Sequence, residues 1–221
     1  MKIEEALPYA FEFDVERTAL LVIDMQNDFC TPGGFGELLG NDISLTRSII
    51  PVIDELLQTA RRAGMLIIHT REGHLPDLSD CPPSKLERSR KQGAGIGDVG
   101  PMGRVLIRGE HGHEIVSELA PLAGEPVIDK PGKGAFYGTE LEALLKSRGI
   151  EYLILSGVTT HVCVHTTLRE ANDRGYRCLV LEDATAAFDP RDQEMALHMV
   201  RQQGGIFGWT ARTQAVHQSL N

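Results

Sequence analysis

Residues 151–183, "EYLILSGVTTHVCVHTTLREANDRGYRCLVLED", decide the fold, because two apolar runs flank one helical pattern there. The runs are "EYLILSGV" (151–158) and "YRCLVLED" (176–183), and the helical pattern of residues 162–175 ends at Gly175, a residue typical of helix C-termini. Continuous apolar runs, unlike alternating ones, indicate strands that are covered on both faces, as in a parallel sheet. The stretch therefore predicts a strand–helix–strand unit.

The rest of the chain repeats this alternation of strand and helix. Three further strand-like runs are "TALLVID" (18–24), "MLIIHT" (65–70) and "EPVID" (125–129). Helical patterns cover residues 42–64, 139–149 and 190–205. Such alternation, with right-handed crossovers, predicts a three-layer α/β/α sandwich around a mostly parallel, doubly wound sheet. A length of 221 residues suits one such domain over residues 1–221.

The composition restricts the class of protein. The formal net charge is −9, with 31 acidic and 22 basic residues, which argues against a nucleic-acid-binding or anionic-membrane-binding surface. The N-terminal residues carry acids where a signal peptide needs basic and then apolar residues, and no run approaches the roughly 20 apolar residues of a membrane span. The four cysteines lack disulfide-framework and zinc-finger spacing. Together these features predict a cytoplasmic protein with free thiols.

Residues 71–110 are rich in glycine, proline and charge, and they predict a long loop. A loop of this length in a compact domain is usually functional, as a lid or as part of a subunit interface, although a solvated excursion is the alternative. Gly95, Gly97 and Gly100 match a G-x-G-x-x-G pattern. No predicted strand precedes the pattern and no predicted helix follows it, which excludes a dinucleotide site here.

Two charged residues are predicted at the carboxyl ends of strands, where open α/β sheets bind their ligands. Asp24 ends the first run. A carboxylate at the end of a buried strand is costly unless it has a partner. The alternative is that Asp24 caps the next turn. Lys130 follows the run 125–129 and precedes a tight Pro-Gly turn that would hold its stem at the rim of the sheet. The alternative for Lys130 is an ordinary surface lysine.

Cys163 falls where the run 151–158 gives way to the helical pattern. It could be a packing residue, half of a disulfide, a metal ligand or a nucleophile. The N–H groups and the dipole of a helix N-terminus favour an anion, and a nearby ammonium would lower the pKa of the thiol further. A carboxylate that accepts the thiol proton and a lysine that holds the thiolate complete a nucleophilic site, so we predict that Asp24, Lys130 and Cys163 act together.

Three segments carry a resemblance to a known family. "ALLVIDMQNDF" (19–29), "DKPGKGAFYGTELEALLKSRGI" (129–150) and "LILSGVTTHVCVHTTLREANDRGY" (153–176) resemble the isochorismatase-like cysteine hydrolase family. The resemblance extends over about residues 18–187 and implies the isochorismatase-like fold. It also implies that Asp24, Lys130 and Cys163 are the catalytic triad of that family.

The same resemblance implies an oxyanion hole. Family members have a cis peptide bond that would fall between Val158 and Thr159 in this chain. Its expected role is to direct the N–H of Thr159, together with that of Cys163, at a developing oxyanion.

The long loop suggests the substrate. Residues 69–115, together with "MVRQQGGIFG" (199–208), are closely similar to the biuret hydrolases of the family, and triuret hydrolases share this background. This similarity implies an amidohydrolase that cleaves a terminal ureido C–N bond of a small, neutral, linear urea oligomer. Ammonia would leave and a thiocarbamoyl-enzyme would form. His161 and "DATAAFDP" (183–190) depart from the biuret pattern, so biuret and triuret both stay open.

A planar, polar substrate needs hydrogen bonds in a plane and flat apolar walls. The residues predicted to bind it are Phe29, Lys133, Phe136, Thr160 and Gln203. Lys133 and Gln203 are the candidates for contacts with carbonyl and amide groups, and the two phenylalanines are the candidates for walls. The alternatives are core packing for the phenylalanines and an exposed helix end for Gln203.

We expect no cofactor and no metal. Glu72 and His74 occupy the positions of the D-x-H metal pattern of nicotinamidases and could ligate an ion, but urea-oligomer hydrolases work without one. The family suggests a homo-oligomer, either a tetramer or a dimer.

Two other functions stay open. One is hydrolysis of ureidoacrylate or an N-carbamoyl amino acid, whose carboxylate would need an arginine such as Arg71, Arg104 or Arg108. The other is a redox or binding protein that uses a helix-capped thiol.

Overall fold

The computed structural model describes residues 1–220, which form ten strands and nine α-helices. The strands are β1 (Lys2–Ile3), β2 (Phe11–Glu12), β3 (Thr18–Ile23), β4 (Leu66–Glu72), β5 (Val99–Gly100), β6 (Gly103–Arg104), β7 (Val127–Lys130), β8 (Tyr152–Val158), β9 (Arg177–Ala186) and β10 (Trp209–Ala211). The helices are α1 (Asn27–Cys30), α2 (Phe35–Leu38), α3 (Ser44–Ser48), α4 (Ile50–Arg62), α5 (Pro83–Lys91), α6 (Leu141–Ser147), α7 (His165–Asp173), α8 (Pro190–Gly205) and α9 (Thr213–Leu220). Turns of 3-10 helix cover Val15–Arg17, His111–His113 and Ser117–Leu119, and a π-helical turn covers Thr160–Val164. Within residues 1–220, no helix combines the length and the apolar character that a membrane crossing requires.

A six-stranded parallel sheet lies at the centre, in the order β10-β9-β8-β3-β4-β7. Five of these strands are the apolar runs of the sequence, and helices flank the sheet, so the predicted α/β/α sandwich is confirmed. The edge strand β10 was not predicted, because three residues are too few to stand out as an apolar run.

The packing of strand β3 explains why its sequence is continuously apolar instead of alternating between apolar and polar residues. Leu20 and Val22 join the core cluster under α4 and α9, whereas Leu21 and Ile23 join the cluster under α6, α7 and α8. Both faces of the strand are therefore buried, as expected for a parallel sheet between two helical layers.

The chain changes direction at β3. Strands β4 and β7 lie on one side of it, and β8, β9 and β10 lie on the other. The boundary between β3 and β8 is thus a topological switch point, and ligands bind beyond the carboxyl ends of strands at such points. Asp24 follows β3, and the turn that carries Cys163 follows β8.

The backbone at this edge of the sheet has unusual geometry. Asp24 has φ of 51°, in the left-handed region that aspartate tolerates better than most residues. Gly157, near the end of β8, has φ of 103°, and a Cβ there would lie 2.0 Å from the carbonyl oxygen of Ile23. Only glycine allows β8 to approach the end of β3 this closely. The peptide bond between Val158 and Thr159 is cis, as the family resemblance implied.

Residues 71–110 are not one continuous loop. Strand β4 extends to Glu72, α5 spans nine residues, and β5 pairs with β6 in a small hairpin. Helix α5 escaped prediction because Leu86 is its one large apolar residue, while two polar residues, Lys85 and Ser89, fill its buried face. This segment runs over the carboxyl edge of the sheet and supplies part of the site described next.

Candidate active site

Asp24, Lys130 and Cys163 converge at the switch point. The ammonium of Lys130 lies 2.8 Å from Oδ2 of Asp24, and both side chains are fully buried. Cys163 Sγ lies within 4.8 Å of an Asp24 carboxylate oxygen. Lys130 also donates hydrogen bonds to the carbonyl oxygens of Gly132 and Lys133, at 2.9 and 2.8 Å. The turn after β7 thus folds back onto the ammonium, and Lys130 is not a surface lysine.

Both oxygens of the Asp24 carboxylate are held. Oδ1 accepts a hydrogen bond from the Thr70 hydroxyl at 2.7 Å, and Oδ2 faces Lys130. The backbone N–H of Asp24 donates to the carbonyl oxygen of Thr70 at 3.1 Å. These contacts fix the carboxylate between β3 and β4, beside the thiol, so it does not act as the cap of the next turn.

Glu72 is a fourth member of the site whose place beside the thiol the sequence did not reveal. It is the last residue of β4 and is 1% exposed. Its Oε2 accepts a hydrogen bond from the Cys163 thiol at 3.2 Å and lies 3.7 Å from the Lys130 ammonium. Its Oε1 lies 2.7 Å from the ammonium of Lys85 and 3.1 Å from that of Lys133. One buried carboxylate therefore contacts three ammonium groups and the thiol.

The charges of this cluster stabilise one another. Burial alone would raise the pKa of Glu72, but Lys130, Lys133 and Lys85 outweigh it and hold that pKa far below its usual range. Burial likewise opposes the charged form of Lys130, but Asp24, Cys163 and Glu72 raise its pKa above the usual range. Glu72 is a carboxylate and Lys130 an ammonium throughout the physiological pH range.

The thiol of Cys163 does not share this behaviour. Burial raises the pKa of Cys163 well above its usual value; Lys130 opposes the shift, and Asp24 and Glu72 add to it. The sequence-based expectation of a lowered thiol pKa is therefore wrong for the resting site, because the thiol is desolvated and faces two carboxylates. Cys163 also lies in the π-helical turn that precedes α7, not in α7 itself.

Glu72 and His74, the pair that could ligate a metal, both contact the ammonium of Lys85. Nε2 of His74 lies 2.8 Å from the Lys85 ammonium, which also donates to the carbonyl oxygen of Pro131 at 2.9 Å. With Oε1 of Glu72 at 2.7 Å, three acceptors surround Lys85 Nζ. A divalent ion here would lie against a positive charge, so these residues fit an ammonium better than a metal.

A cavity of about 370 Å³ opens onto Cys163 and Thr159. Its walls combine aromatic and aliphatic side chains with several charged ones. The lining residues include Phe29, Phe35, Phe188, Leu106, Glu72, Lys85, Arg88, Lys133 and His161. Such a cavity offers flat apolar walls and cationic hydrogen-bond donors around one thiol. Thr159 and Cys163, the predicted oxyanion-hole residues, both line the cavity, whereas the binding of an oxyanion there stays a prediction.

Two of the five residues predicted to bind substrate line this cavity. Phe29 forms part of the apolar wall and packs edge-on against Phe35, with ring centroids 6.3 Å apart. Lys133 extends to Glu72 and its side chain is 39% exposed, so its ammonium can also reach a molecule in the cavity.

The other three residues do not line this cavity. Phe136 stacks on Tyr176, with centroids 5.9 Å apart, in the core cluster under α6, α7 and α8, so it is a packing residue and not a cavity wall. Thr160 is buried, and its hydroxyl donates to the side chain of Gln193. Gln203 lies at the irregular end of α8, which leads into β10 and therefore sits at the amino ends of the strands, opposite the cavity.

Comparison with known proteins shows the family to which the chain belongs. The family model of the isochorismatase domain matches residues 18–212, so the chain belongs to the isochorismatase family, as the sequence predicted. A cysteine hydrolase from Pseudomonas syringae pv. phaseolicola 1448A is 28% identical, with 95% of each chain covered and a TM-score of 0.79. An isochorismatase family protein from Desulfovibrio vulgaris subsp. vulgaris str. Hildenborough is 32% identical, with 92% of this chain and 98% of that one covered and a TM-score of 0.76. N-carbamoylsarcosine amidase from Thermoplasma acidophilum is 26% identical, with 89% and 96% covered and a TM-score of 0.67.

Proposed function

We propose that the protein is a cysteine-dependent amidohydrolase that cleaves a terminal ureido C–N bond of a small linear urea oligomer, triuret or biuret. The observation that carries the proposal is the buried group of Asp24, Lys130 and Cys163, whose thiol lines a cavity with apolar and charged walls. The similarity to an N-carbamoylsarcosine amidase supports attack on a carbamoyl carbon.

The first half of the reaction acylates the thiol. The Cys163 proton passes to the Asp24 carboxylate while Sγ forms a bond to the terminal carbamoyl carbon. Lys130 stabilises the negative charge on sulfur, and the N–H groups of Thr159 and Cys163 donate to the oxyanion. Donors of this kind are typically worth about 2.7–4 kcal/mol each. Asp24 then gives its proton to the leaving nitrogen, the C–N bond breaks, and ammonia departs from a thiocarbamoyl-enzyme.

The second half regenerates the thiol. Asp24 accepts a proton from a water molecule, whose oxygen attacks the thiocarbamoyl carbon. The C–S bond breaks, the thiolate recovers the proton from Asp24, and the product acid loses the remaining proton of the water to solvent and leaves as a carboxylate, allophanate when the substrate is biuret. Lys133 donates to a substrate carbonyl, and Phe29 packs against the plane of the substrate.

The decisive experiment is the variant Cys163→Ser, assayed for ammonia release from biuret and triuret. Activity should disappear while circular dichroism shows an intact fold, and Cys178→Ala, a change at a buried thiol within β9, should leave turnover measurable. Mass spectrometry of wild-type enzyme quenched during turnover should find a carbamoyl adduct on Cys163. Substantial ammonia release by Cys163→Ser would contradict the covalent mechanism, and sulfenate or disulfide forms alone would favour a redox protein.

A second candidate function is hydrolysis of a carboxylate-bearing ureide, such as ureidoacrylate or an N-carbamoyl amino acid. Arg71, Arg104 and Arg108 do not serve it, because they bind Asp129, backbone carbonyls and Asp80 respectively. Arg88 on α5 favours it instead. Its exposed side chain lines the cavity and, among residues 1–220, has no acidic group within 4.0 Å. Rates measured side by side on biuret, triuret, ureidoacrylate and N-carbamoyl amino acids decide between the two functions.

A further inference from the structure

Side chains of the segment 71–110 form a hydrogen-bonded chain that ends on the thiol. Oδ1 of Asp80 lies 3.2 Å from Nδ1 of His74, whose Nε2 lies 2.8 Å from the Lys85 ammonium. Lys85 Nζ lies 2.7 Å from Oε1 of Glu72, and Oε2 of Glu72 accepts the Cys163 thiol hydrogen bond at 3.2 Å. Four successive contacts therefore connect the segment above the sheet with the sulfur atom.

The inner members of this chain are shielded from water. The exposed fraction is 8% for Lys85 and smaller for His74, Glu72 and Cys163. Asp80 forms the outer end, where it also pairs with Arg108 at 3.2 Å. In such a shielded place a charge acts on its neighbours far more strongly than it would in water.

Glu72 and Asp24 are placed differently relative to the thiol. The oxygens of Asp24 are engaged by Thr70 and Lys130, whereas Oε2 of Glu72 accepts the hydrogen bond from Sγ. A thiolate would bring two negative charges to within 3.2 Å of each other, so Glu72 favours the protonated sulfur.

Lys85 has the opposite effect on the sulfur. Its ammonium offsets the charge of Glu72, and its three N–H groups have three acceptors in Glu72, His74 and the Pro131 carbonyl. This contact also holds the Glu72 side chain in the orientation in which Oε2 points at Sγ.

We propose that Glu72 and Lys85 are positioning residues that set the balance between thiol and thiolate at Cys163, Glu72 by holding the thiol and Lys85 by limiting that hold. The proposal rests on the proposed function, in which Cys163 is the nucleophile. Among residues 1–220, the other charged or titratable groups around the sulfur or in its cavity are Asp24, Lys130, Lys133, Arg88 and His161, the last with Asp192 at 3.7 Å. In the resting enzyme this balance favours the protonated sulfur.

The test is the pH dependence of Cys163 alkylation by iodoacetamide without substrate, followed by mass spectrometry of the peptide that contains Cys163. Glu72→Gln should lower the midpoint by about one pH unit or more, because the carboxylate is lost while Lys85, Lys130 and Lys133 remain. Lys85→Met should raise the midpoint by about half a unit or more, because a positive charge near the sulfur is lost. A merely structural role would not give shifts of opposite sign.

Two further variants make the result interpretable. Glu87→Gln, also on α5, changes an exposed glutamate that pairs with Lys91, and it should leave the midpoint unchanged. The double variant Glu72→Gln with Lys85→Met removes both charges, so its midpoint should lie above that of Glu72→Gln alone. If circular dichroism shows that Lys85→Met does not fold, the comparison of the double variant with Glu72→Gln takes its place.

Alkylation midpoints that shift in opposite directions in the two single variants support the proposal. A midpoint of the double variant above that of Glu72→Gln supports it as well. If the alkylation midpoints of Glu72→Gln and Lys85→Met shift with the same sign, or shift no more than that of Glu87→Gln, the proposal is overturned. Because alkylation needs no substrate, this outcome is independent of the ammonia assay on Cys163→Ser, which tests the proposed function itself.

Discussion

Glu72 and Lys130 are register partners at the carboxyl ends of β4 and β7, with 3.7 Å between Oε2 and Nζ. Lys130 therefore lies between two buried carboxylates, since Asp24 is 2.8 Å away on its other side. Lys85 and Lys133 add two more ammonium groups around Glu72. Three ammonium groups and two carboxylates leave one positive charge beside a neutral thiol. A thiolate or an oxyanion would neutralise that charge, and this suits a site where negative charge develops during reaction.

Replacing Asp24 by asparagine should remove activity and weaken the fold. Asp24→Asn keeps the size of the side chain but removes both the proton acceptor and the partner of a fully buried ammonium. We expect turnover to fall by about 100-fold or more, and the free energy of unfolding by about 3–5 kcal/mol. Initial rates of ammonia release and urea denaturation measure the two effects. Turnover near that of the wild type would remove Asp24 from the mechanism.

The coupling of Asp24 and Lys130 should appear in a double-mutant cycle. Lys130→Met alone leaves two buried carboxylates without their shared ammonium, so it should destabilise strongly. The double variant with Asp24→Asn should be at least about 1 kcal/mol more stable than the sum of the single effects predicts. Urea denaturation of the four proteins measures this coupling, and strict additivity would show that the pair contributes nothing as a pair.

Gly157→Ala should destabilise the protein far more than Gly149→Ala, a substitution at another glycine with positive φ. At Gly157 the new Cβ would lie 2.0 Å from the carbonyl oxygen of Ile23, so β8 must move away from β3. A Cβ on Gly149, whose φ is 64°, would meet nothing within 4 Å, so Gly149→Ala should cost only the left-handed conformation, about 1–2 kcal/mol. Thermal unfolding should place Gly157→Ala well below Gly149→Ala, and equal losses would contradict the close approach.

His113 should make the fold sensitive to mild acid. Burial, aided by Arg71, lowers the pKa of His113 to about 4, from a usual value near 6.5. As the pH falls between these values, the unfolded chain takes up a proton that the folded chain refuses. Stability from this residue is therefore complete above about pH 6.5 and declines towards pH 4, by up to about 3 kcal/mol. Urea denaturation should show a shallower decline over this range for His113→Asn.

The matched control for that experiment is His111→Asn in the same 3-10 turn. His111 is largely exposed, so its replacement should leave the slope of stability against pH close to that of the wild type. If both variants behave alike, the acid sensitivity arises elsewhere.

Arg88 should separate the two classes of substrate. Arg88 has no acidic partner among residues 1–220, so Arg88→Met removes an unpaired cation from the cavity. A charge-assisted hydrogen bond from such a cation to a carboxylate is worth about 1.5–3 kcal/mol. We expect kcat/KM for an N-carbamoyl amino acid to fall about 10-fold or more and that for biuret to change little. Arg90→Met, on the same helix but outside the cavity, is the control. Equal losses on both substrates would exclude carboxylate recognition by Arg88.

The fold was predictable wherever burial on both faces leaves a continuous apolar run, as in β3 and β8. It was not predictable where packing decides the structure of a short or charged segment. Strand β10 has three residues, and α5 has one large apolar residue, Leu86, so neither carries a clear periodic signal.

The site was predictable in part, for a related reason. Asp24, Lys130 and Cys163 follow recognisable strand runs, and the rule that places them together applies equally to Glu72. The run of β4 was predicted to end at Thr70, two residues before the strand ends, and this hid Glu72. Lys85 reaches Glu72, beside the thiol, through the tertiary path of α5, which no local pattern indicates. The substrate, the cytoplasmic location and the dimer or tetramer stay predictions.

The hydrogen-bonded chain from Asp80 to Cys163 has a consequence for protein engineering. Segment 71–110 is not an interchangeable module on a fixed catalytic base, because Glu72 and Lys85 belong to it while the sulfur beside them does not. A chimera that imports the corresponding segment from a relative also imports a new electrostatic setting for its nucleophile. Loop grafts intended to alter substrate range should therefore be designed with the charge at both positions held constant, so that changes in selectivity are not confused with changes in thiol reactivity.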